Sequence, residues 1–352
     1  FFKRLNICHR SLIFPIFIFS LKSMQPSITV LMPNYNNAPF LREAIDSILQ
    51  QTFANFIFLI IDDGSTDSSV EIIKGYRDQR IKLLKKPTNS GIVDALNLGL
   101  QHIETKYMVR MDGDDLSTPD RLELLHDYME RNPKIDICGS QMLLFGNENV
   151  IARYELVPDR IKSQLIFNTP VSHASSIIKT SLLISNQIFY RKTHPYMEDY
   201  DLFFRIKDKA IFGNIDKVLY HYRILTHNST LKNMHTLYAR KKAMFKDVIS
   251  ELEIDPTEEN LTKHLECFVD PAVSFPIRAY KEWLNTLIVH NKKKCIYPEK
   301  ALEAILEERW KQFFFKVVPL PVNKSIQYFF LSKTIRLKQL MYLIKYKMNY
   351  KQ

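Results

Sequence analysis

Four consecutive residues, Asp112-Gly113-Asp114-Asp115, have the composition of a metal site. They follow the apolar run 107–111 and place three carboxylates within four positions. Neighbouring carboxylates repel one another, which raises their pKa values unless a cation or hydrogen-bond donors compensate. Carboxylate oxygens suit Mg²⁺ or Mn²⁺, and these ions usually keep open positions for substrate phosphates. The cluster therefore predicts a site where a divalent metal meets a diphosphate, and an acidic solvated turn is the alternative.

Three further polar clusters also follow runs of strand length. The runs at 27–32, 56–61 and 81–85 lead into Asn34-Tyr35-Asn36-Asn37, Asp62-Asp63-Gly64-Ser65 and Asn89-Ser90-Gly91. Helical spacing between the runs, at 39–51, 68–76 and 92–103, predicts a parallel sheet with helices on both faces. Ligands bind beyond the carboxyl ends of such strands, so we expect all four clusters to converge on one crevice.

The composition of these clusters favours a nucleotide. Only eight glycines are present, and none form a Gly-x-Gly-x-x-Gly turn or a P-loop. Pro33 and Tyr35 instead suit stacking on a base, while Asp62 and Asp63 can accept hydrogen bonds from a base imide or ribose hydroxyls. These residues fit a nucleotide whose diphosphate is held by a metal rather than by a glycine loop.

Composition sets the outer limits. A hydrophobic content of 46% and a charged content of 25% indicate a folded protein. The net charge of +11 is concentrated near the end, because residues 311–352 contain nine Lys and Arg and no Asp or Glu. Such a segment binds anions, either lipid head groups or nucleic acid. The four cysteines show no paired spacing, so neither a disulfide framework nor a zinc site is predicted, which favours a reducing compartment.

The chain divides into three predicted regions. Residues 1–23 contain an apolar stretch too short to span a bilayer, and Met24 is a plausible start. We expect these residues to be extraneous to the fold, with a weak signal or hydrophobic anchor as the alternative. A catalytic domain at 24–235 has a nucleotide-binding half at 24–116 and an acceptor half at 117–235. A basic helical region follows at 236–352.

The ordered succession of motifs resembles the family 2 glycosyltransferases of the GT-A fold. The matching segments are Val30 to Asn36, Ile61 to Asp67, Asn89 to Gly91 with Ala95 and Asn97, and Met111 to Asp115. The resemblance covers about residues 27–229. It implies an α/β fold with a Rossmann-like, mostly parallel central sheet flanked by helices, here with a C-terminal helical extension. It also implies transfer of a sugar from a nucleotide diphosphate with inversion at the anomeric carbon.

The resemblance assigns roles to individual residues. It implies Asp114 as the direct ligand of Mn²⁺ or Mg²⁺ and Asp112 as a ribose or metal-shell contact. The implied nucleotide-binding set is Pro33, Tyr35, Asp62, Asp63, Asn89, Gly91, Asp112 and Arg223. Arg223 is the predicted diphosphate partner, since a guanidinium can bond phosphate oxygens bidentately. His227 is the predicted further metal or phosphate contact, and His173 is predicted on the acceptor side, with a structural role as the alternative.

An inverting transfer also needs a base that takes the proton from the acceptor hydroxyl. Glu198 and Asp199 begin an amphipathic helix, where acidic residues also serve as ordinary caps. The segment is similar to the Glu-Asp motif of the family, which implies Asp199 as the base. Glu198 is the second candidate, and Asp201 is expected to complete the cap.

The region after residue 235 is predicted to be helical. Helical periods occur at 236–253, 258–268, 276–290 and 298–316. Between 326 and 350, apolar residues alternate with basic ones, as in a helix lying on an anionic membrane surface. A basic face on a buried helix, or a partner-binding helix, is the alternative.

The predicted function is that of a metal-dependent inverting glycosyltransferase of cell-surface polysaccharide biosynthesis. It would transfer a sugar from a nucleotide-sugar, UDP-linked by family frequency, to a glycan or lipid-linked glycan. The expected location is cytoplasmic, peripheral at the inner face of the cell membrane. A polyprenyl-phosphate sugar synthase is the closest alternative. A non-catalytic protein that binds nucleic acid or an anionic surface is the rival from another class, but it leaves the ordered aspartates unexplained, and no nucleic-acid partner is expected.

Overall fold

The structure is a computed structural model that describes residues 25–147, 149–224, 234–270, 272–332 and 337–349. Its first four strands are β1 (Ile28–Asn34), β2 (Phe56–Asp62), β3 (Ile81–Lys85) and β4 (Tyr107–Arg110). They pair in parallel in the order β3-β2-β1-β4. The connecting helices are α1 (Ala38–Leu49), α2 (Ser69–Gly75) and α3 (Ile92–Leu100). The predicted strand and helix alternation is confirmed, with bounds that differ by a few residues.

The central strands are buried on both faces of the sheet. Successive side chains of a strand point to opposite faces. Val30 and Met32 therefore belong to one hydrophobic core, while Leu31 belongs to the other. Burial on both faces explains why these runs are continuously apolar rather than alternating with polar residues. It also leaves the carboxyl ends of the strands as the places where polar residues can collect.

The second half of the sheet is mixed rather than parallel. Its strands are β5 (Leu116–Ser117), β6 (Ile137–Gly146), β7 (Val150–Ala152), β8 (Ile177–Lys179) and β9 (Phe212–Ile224). Its helices are α4 (Arg121–Arg131), α5 (Pro158–Gln164), α6 (Thr180–Ile184) and α7 (Glu198–Ile206). The strand order is β3-β2-β1-β4-β8-β6-β9-β5, with β7 paired to β6. Strand β8 lies antiparallel between β4 and β6, while β6 and β9 are parallel. The sheet is thus purely parallel from β3 to β4, whereas its second half contains both parallel and antiparallel pairs.

Strand β9 connects the far side of the sheet to the aspartate cluster. Its 13 residues run parallel to β6, with register shifts between Ser140 and Met142. Its end pairs with β5, where Ser117 lies opposite Tyr220. Because β5 begins directly after Asp115, this pairing brings Tyr220 and Arg223 to the aspartate cluster.

Six helices complete the described chain. They are α8 (Met234–Glu251), α9 (Glu258–Phe268), α10 (Ile277–Lys294), α11 (Glu299–Val317), α12 (Val322–Leu331) and α13 (Leu337–Asn349). Buried residues of these helices form one continuous core with residues of α3 and α7 on the same face of the sheet. The helical region is therefore packed against the same face of the sheet as α3 and α7. Among the described residues, no helix combines the length and the apolar character that crossing a membrane requires.

The prediction of a single helix between 326 and 350 is wrong. Helix α12 ends at Leu331 and α13 begins at Leu337. Helix α12 is packed against α11, since the Tyr328 ring stacks on Trp310 at 4.9 Å and its hydroxyl donates to the Trp310 carbonyl. The indole Nε1 of Trp310 donates to Ser332 at 2.9 Å, where the chain leaves the helix. Part of this segment is thus core rather than surface. Residues 1–23, with their predicted extraneous role, lie outside the described residues.

Candidate active site

One crevice lies at the carboxyl ends of the parallel strands. It has a volume of about 540 Å³ and opens to solvent. Six of the predicted nucleotide contacts line it, together with one predicted catalytic residue: Pro33, Tyr35, Asp63, Asn89, Gly91, Asp112 and Glu198. Residues that are far apart in sequence therefore meet where parallel strands present their ends, as expected for this kind of sheet.

The first wall of the crevice is the turn after β1. Pro33 is buried, and the ring of Tyr35 beside it is 43% exposed. The next residue, Asn36, has a positive φ of 53° and accepts the backbone N–H of Thr66 at 2.8 Å through its side chain. Asn and Asp tolerate this left-handed conformation better than other residues with a Cβ. The turn is thereby tied to the loop after β2, and it presents an apolar and aromatic surface.

Asp62 holds together the two loops beside the crevice. It is fully buried and does not line the crevice. Its carboxylate accepts the Asn34 side-chain amide at 3.0 Å and the Ser65 backbone N–H at 3.1 Å. These bonds hold the two loops together, so the structure gives Asp62 an organising position, and its contact with a nucleotide stays a prediction.

Asp63 faces the crevice and holds its second wall. Its carboxylate accepts Lys86 Nζ at 2.5 Å, the Ser90 N–H at 3.2 Å and the Gly91 N–H at 2.8 Å. Gly91, with φ of 94°, precedes the first turn of α3, where free N–H groups and the helix dipole favour an anion. Asp63 therefore fixes the 89–91 loop at the edge of the crevice.

The aspartate cluster is compensated unevenly. Asp112 accepts a charged hydrogen bond from Arg110 Nη2 at 2.7 Å, and the Arg110 side chain is only 2% exposed. Asp115 is buried and accepts the Tyr220 hydroxyl at 2.8 Å and the Arg223 N–H at 2.7 Å. Burial and the neighbouring charge of Asp112 raise the pKa of Asp114 to about 6. Burial and the charges of Asp112 and Asp114 also raise the pKa of Asp115, well above its ordinary value. Asp114 differs from Asp115 in that its carboxylate accepts no hydrogen bond from another described residue.

The glycine inside the cluster is required by close packing. A Cβ on Gly113 would lie 2.8 Å from the Asn37 side-chain amide and 3.1 Å from Asn34 Oδ1. This Asn34 oxygen is buried and has no hydrogen-bond partner among the described residues. The loop of the aspartate cluster thus presses directly on the turn after β1, which keeps both within reach of one ligand.

The residues present fit a divalent metal. No group of three His, Cys, Asp or Glu side chains in the described part of the chain is arranged to hold an ion. Two carboxylates, Asp112 and Asp114, remain on the same short loop, and Mg²⁺ is commonly held by one or two carboxylates plus substrate phosphates. Burial, and after it the charge of Asp112, raises the pKa of Asp114, and a bound cation would favour the charged form of this carboxylate. His227, the other predicted ligand, lies outside the described residues.

Arg223 lies behind the aspartate cluster. Its Nε donates to the Asp114 backbone carbonyl at 2.7 Å, and its Nη2 contacts Glu43 at 2.6 Å. The guanidinium lies over the rings of Phe40 and Phe145, 4.8 and 4.6 Å from their centroids. In this position it supports the cluster and is not among the residues that line the crevice. Its contact with a diphosphate stays a prediction.

The acceptor side of the crevice begins at the first turn of α7. Glu198 lines the crevice, and its Oε2 is buried without a hydrogen-bond partner among the described residues. Burial, with the adjacent charge of Asp199, raises the pKa of Glu198 to about 7. Burial also raises the pKa of Asp199, although Asp199 Oδ1 accepts the Tyr200 N–H at 2.7 Å and the charge of Lys241 opposes the shift. Both carboxylates are thus shifted towards the proton affinity of a general base near neutral pH.

Asp201 does not cap α7, so this prediction is wrong. Its carboxylate is buried and bonds the guanidinium of Arg191, with Nε at 3.1 Å, and Arg205 Nε at 2.9 Å. The residue lies in the first turn of the helix, but its oxygens accept from the two arginines rather than from the free N–H groups. It instead fastens the 191–197 loop, which carries crevice residues, to the body of α7.

His173 is buried in the protein interior. Its Nε2 lies 2.7 Å from the Tyr190 hydroxyl, and its ring packs against Tyr190 and Phe203. Burial lowers the pKa of His173 well below its ordinary value, so the ring is neutral. The structure supports the structural alternative for His173, and an acceptor contact stays a prediction.

Several residues around the crevice were not found from the sequence. Lys192, Pro195 and Tyr196 line it from the loop before α7. Lys192 contacts Asp94 at 2.7 Å, and the guanidinium of Arg240, on α8, lies 3.8 Å from the ring centroid of Tyr196. A helix of the C-terminal region thus supports the crevice wall. Arg110, the partner of Asp112, was not singled out either, although a charged residue in the otherwise apolar run 107–111 is a local signal that could have found it.

Comparison with known proteins agrees with this geometry. The family model for glycosyl transferase family 2 matches residues 29–214. The putative glycosyltransferase EpsE of Bacillus subtilis is 33% identical over 204 residues, which cover 56% of this chain and 73% of that protein. An uncharacterized glycosyltransferase of Haemophilus influenzae is 27% identical over 212 residues, covering 56% of this chain and 66% of that protein. The chain therefore spans about two thirds of the length of these relatives.

Solved structures show the fold. S. aureus TarS 1-349 in complex with UDP-GlcNAc aligns with a TM-score of 0.55 at 19% identity, covering 86% of this chain and 89% of that one. The mannosyltransferase PcManGT from Pyrobaculum calidifontis, in complex with GDP-Man and Mn²⁺, aligns with a TM-score of 0.51 at 16% identity, covering 93% and 88%. The chain thus has the GT-A fold, and its sequence relatives are glycosyltransferases. From the family match over more than half of its length, the chain belongs to glycosyl transferase family 2.

Proposed function

We propose that this protein is a metal-dependent, inverting glycosyltransferase that moves a sugar from a nucleotide-sugar donor to a hydroxyl of a glycan or lipid-linked glycan. The observation that carries the proposal is the single crevice, where four strand-end clusters and Glu198 meet. Base-stacking, carboxylate and helix N-terminal groups line it in an order that suits a base, a ribose and a diphosphate.

The donor site is formed by the turn after β1 and by the 89–91 loop. Pro33 and the half-exposed Tyr35 offer apolar surface to a nucleobase, while the Asp63 carboxylate keeps the opposite wall in place. The complexes of TarS with UDP-GlcNAc and of PcManGT with GDP-Man support a nucleotide-sugar as the donor. We favour a UDP-sugar.

Asp114 and Asp112 would hold the metal, Mn²⁺ or Mg²⁺. A bound cation would neutralise negative charge on the departing diphosphate. Arg110 neutralises part of the charge of Asp112 and fixes its orientation. Asp115 is fully engaged with Tyr220 and Arg223, so its contribution is to hold the loop. The Mn²⁺ present with PcManGT supports a metal in this family.

The base comes from the carboxylate pair at the start of α7. Asp199 takes the proton from the acceptor hydroxyl as that oxygen attacks the anomeric carbon, and the bond from this carbon to the diphosphate oxygen breaks. Asp199 interacts electrostatically with Tyr154 and Tyr222 of the acceptor half and with Lys241 of α8, which supports a place on the acceptor side. Glu198 faces the crevice and bonds an acceptor hydroxyl.

The same arrangement supports a proposal for the acceptor and the location. The segment from α4 to β9 and the Glu198-Asp199 pair favour a glycan acceptor over polyprenyl phosphate alone. A role in cell-surface polysaccharide synthesis at the cytoplasmic face of the membrane is proposed with it. The similarity to EpsE, itself a putative glycosyltransferase, agrees with the transferase class.

A donor screen tests the proposal. Purified protein is incubated with UDP-, GDP- and dTDP-sugars, with Mn²⁺, Mg²⁺ or EDTA, and release of nucleoside diphosphate is measured. We expect metal-dependent release with one donor class, and a product of matching mass when a candidate acceptor lipid is added. Absence of release from every donor in the presence of metal, together with nucleic-acid binding that is sensitive to salt, would support the non-catalytic rival instead.

A further inference from the structure

The outer face of α13 carries an exposed apolar stripe. At 3.6 residues per turn, five side chains fall within an arc of about 100°: Leu337, Leu340, Met341, Ile344 and Met348. Three of them, Met348, Leu337 and Met341, are 73%, 70% and 62% exposed. A surface helix of a globular protein normally turns such a stripe towards the core.

The opposite face of α13 already contacts the protein. Leu343 is buried in the core, Gln339 donates to the Lys311 carbonyl at 3.4 Å, and Lys347 donates to the Leu320 carbonyl. The Tyr342 ring lies 5.7 Å from that of Phe315. These contacts fix the rotation of the helix about its axis. The apolar stripe therefore faces outward because the other face is occupied.

Helix α12 adds a second exposed apolar row. Val322, Ile326 and Phe330 recur every four residues and are 49%, 44% and 86% exposed. Its remaining apolar residues face the core, where Tyr328 and Phe329 are buried and Leu331 is partly buried. Two consecutive helices thus each divide their apolar residues between the interior and the surface. Exposed apolar patches of this extent mark interaction sites.

The charges beside the stripe identify the partner. Lys338 and Lys345 are exposed at the edge of the α13 stripe, and Lys324 is exposed on α12. Residues 311–352 contain no Asp or Glu. An apolar stripe bordered by lysines is the pattern of a helix that lies in the head-group region of an anionic bilayer. A second copy of this surface would bring lysines against lysines, and nucleic acid would leave the apolar side chains exposed.

We infer that α12 and α13 form a membrane-docking surface that recognises anionic phospholipid head groups, with the α13 stripe inserted among the acyl chains. The surface holds the protein against the bilayer. The inference stands on the exposed stripe and its charges and does not depend on the proposed transferase activity.

Flotation with lipid vesicles tests the inference on the full chain. Wild-type protein is mixed with phosphatidylcholine vesicles, with or without phosphatidylglycerol, in the absence of nucleotide-sugar. We expect binding to the anionic vesicles that is weaker on neutral vesicles and falls as salt is raised. No binding to anionic vesicles would overturn the inference.

Two variants separate the apolar and charged contributions. Met341→Ser/Ile344→Ser/Met348→Ser and Lys338→Glu/Lys345→Glu should each lower vesicle binding by about tenfold or more. The matched controls are Val150→Ser/Ile151→Ser/Val289→Ser, at other exposed apolar positions, and Lys134→Glu/Lys209→Glu, with the same charge change at exposed sites elsewhere. Circular dichroism melting checks that each variant is folded. Equal losses in variants and controls would overturn the inference.

Other occupants of the surface give different results. If the wild type binds no vesicles and sediments as a dimer that the Met341→Ser/Ile344→Ser/Met348→Ser variant loses, the surface binds a second copy of the chain instead of lipid. Salt-sensitive binding of an oligonucleotide that the serine substitutions do not affect would indicate that the surface binds nucleic acid instead of lipid. Donor hydrolysis in vesicle-free solution should be unchanged in the surface variants, so failure of docking and failure of the transferase proposal are distinguishable.

Discussion

The two sides of the crevice differ in how their carboxylates are compensated. On the donor side, Asp62 and Asp63 accept several hydrogen bonds, and Asp112 is paired with Arg110. On the acceptor side, Glu198 has one buried oxygen without a partner among the described residues, and its pKa is raised. A carboxylate that accepts hydrogen bonds from the protein holds the loops of the site in place. A carboxylate without such donors is available to bind a metal or a substrate. Asp114 is the exception on the donor side, because its carboxylate accepts no hydrogen bond from another described residue, whereas Asp115 accepts two. Asp114 is also the proposed metal ligand.

The largest effect is expected from substitution of Asp114, the proposed metal ligand. Asp114→Ala should lower turnover by about a thousandfold or more, because metal stabilisation of a departing diphosphate is worth several kcal/mol. Titration calorimetry with UDP should also lose its dependence on Mn²⁺. The exposed Asp255→Ala serves as a matched control. Unchanged, Mn²⁺-dependent UDP binding in Asp114→Ala would remove this residue from the metal site.

Asp199→Asn separates the two sides of the crevice. Turnover should fall by about 10²- to 10⁴-fold, the contribution of a positioned base. Metal-dependent UDP binding should stay at the wild-type level, since the donor side is untouched. Glu198→Gln is measured in parallel. Wild-type turnover in Asp199→Asn, with loss in Glu198→Gln, would exchange the two proposed roles.

Arg110→Met tests the compensation of Asp112. Removing one partner of a fully buried ion pair costs about 3 kcal/mol or more of folding free energy. Because Asp112 is 26% exposed, the cost for this pair should lie at or below about 3 kcal/mol. We expect that loss in urea unfolding, together with weaker UDP binding at a temperature where the variant is folded. Arg131→Met, with a side chain that is 80% exposed, provides the control. Equal stability of the two variants would show that Asp112 does not need its partner.

The smallest effect concerns the charge of Glu198. Its folded pKa of about 7 lies above the ordinary value of 4.5, so the folded state binds more protons than the unfolded state between these values. Folding stability should therefore fall as pH rises from 5 to 8, by about 2 kcal/mol from this group. Glu198→Gln should lack this loss, and the exposed Glu71→Gln should retain it. Identical pH profiles for wild type and Glu198→Gln would contradict the assignment.

Much of the donor side could be predicted from sequence because its signals are local. Each strand is a short apolar run, and each polar cluster follows its strand directly, so the motifs alone assign Pro33, Asp63 and Asp112 to one crevice. Asp62 shows the limit of this reasoning. It is adjacent to Asp63 in sequence, but alternation along the strand end turns its carboxylate inward to Asn34 and Ser65.

The sequence by itself determined the strand and helix order of the nucleotide-binding half, the location of the strand-end clusters and the family. These depend on hydrophobic periodicity and on contiguous motifs, which need no knowledge of long-range contacts. The tertiary structure decided which side chains are satisfied. The path of β9 delivers Tyr220 to Asp115, and a hydrogen bond from Trp310 holds Ser332 at the end of α12. The first contact joins residues about a hundred positions apart, and the second joins residues about twenty positions apart. The local sequence pattern of a segment does not identify the distant residue that it will contact.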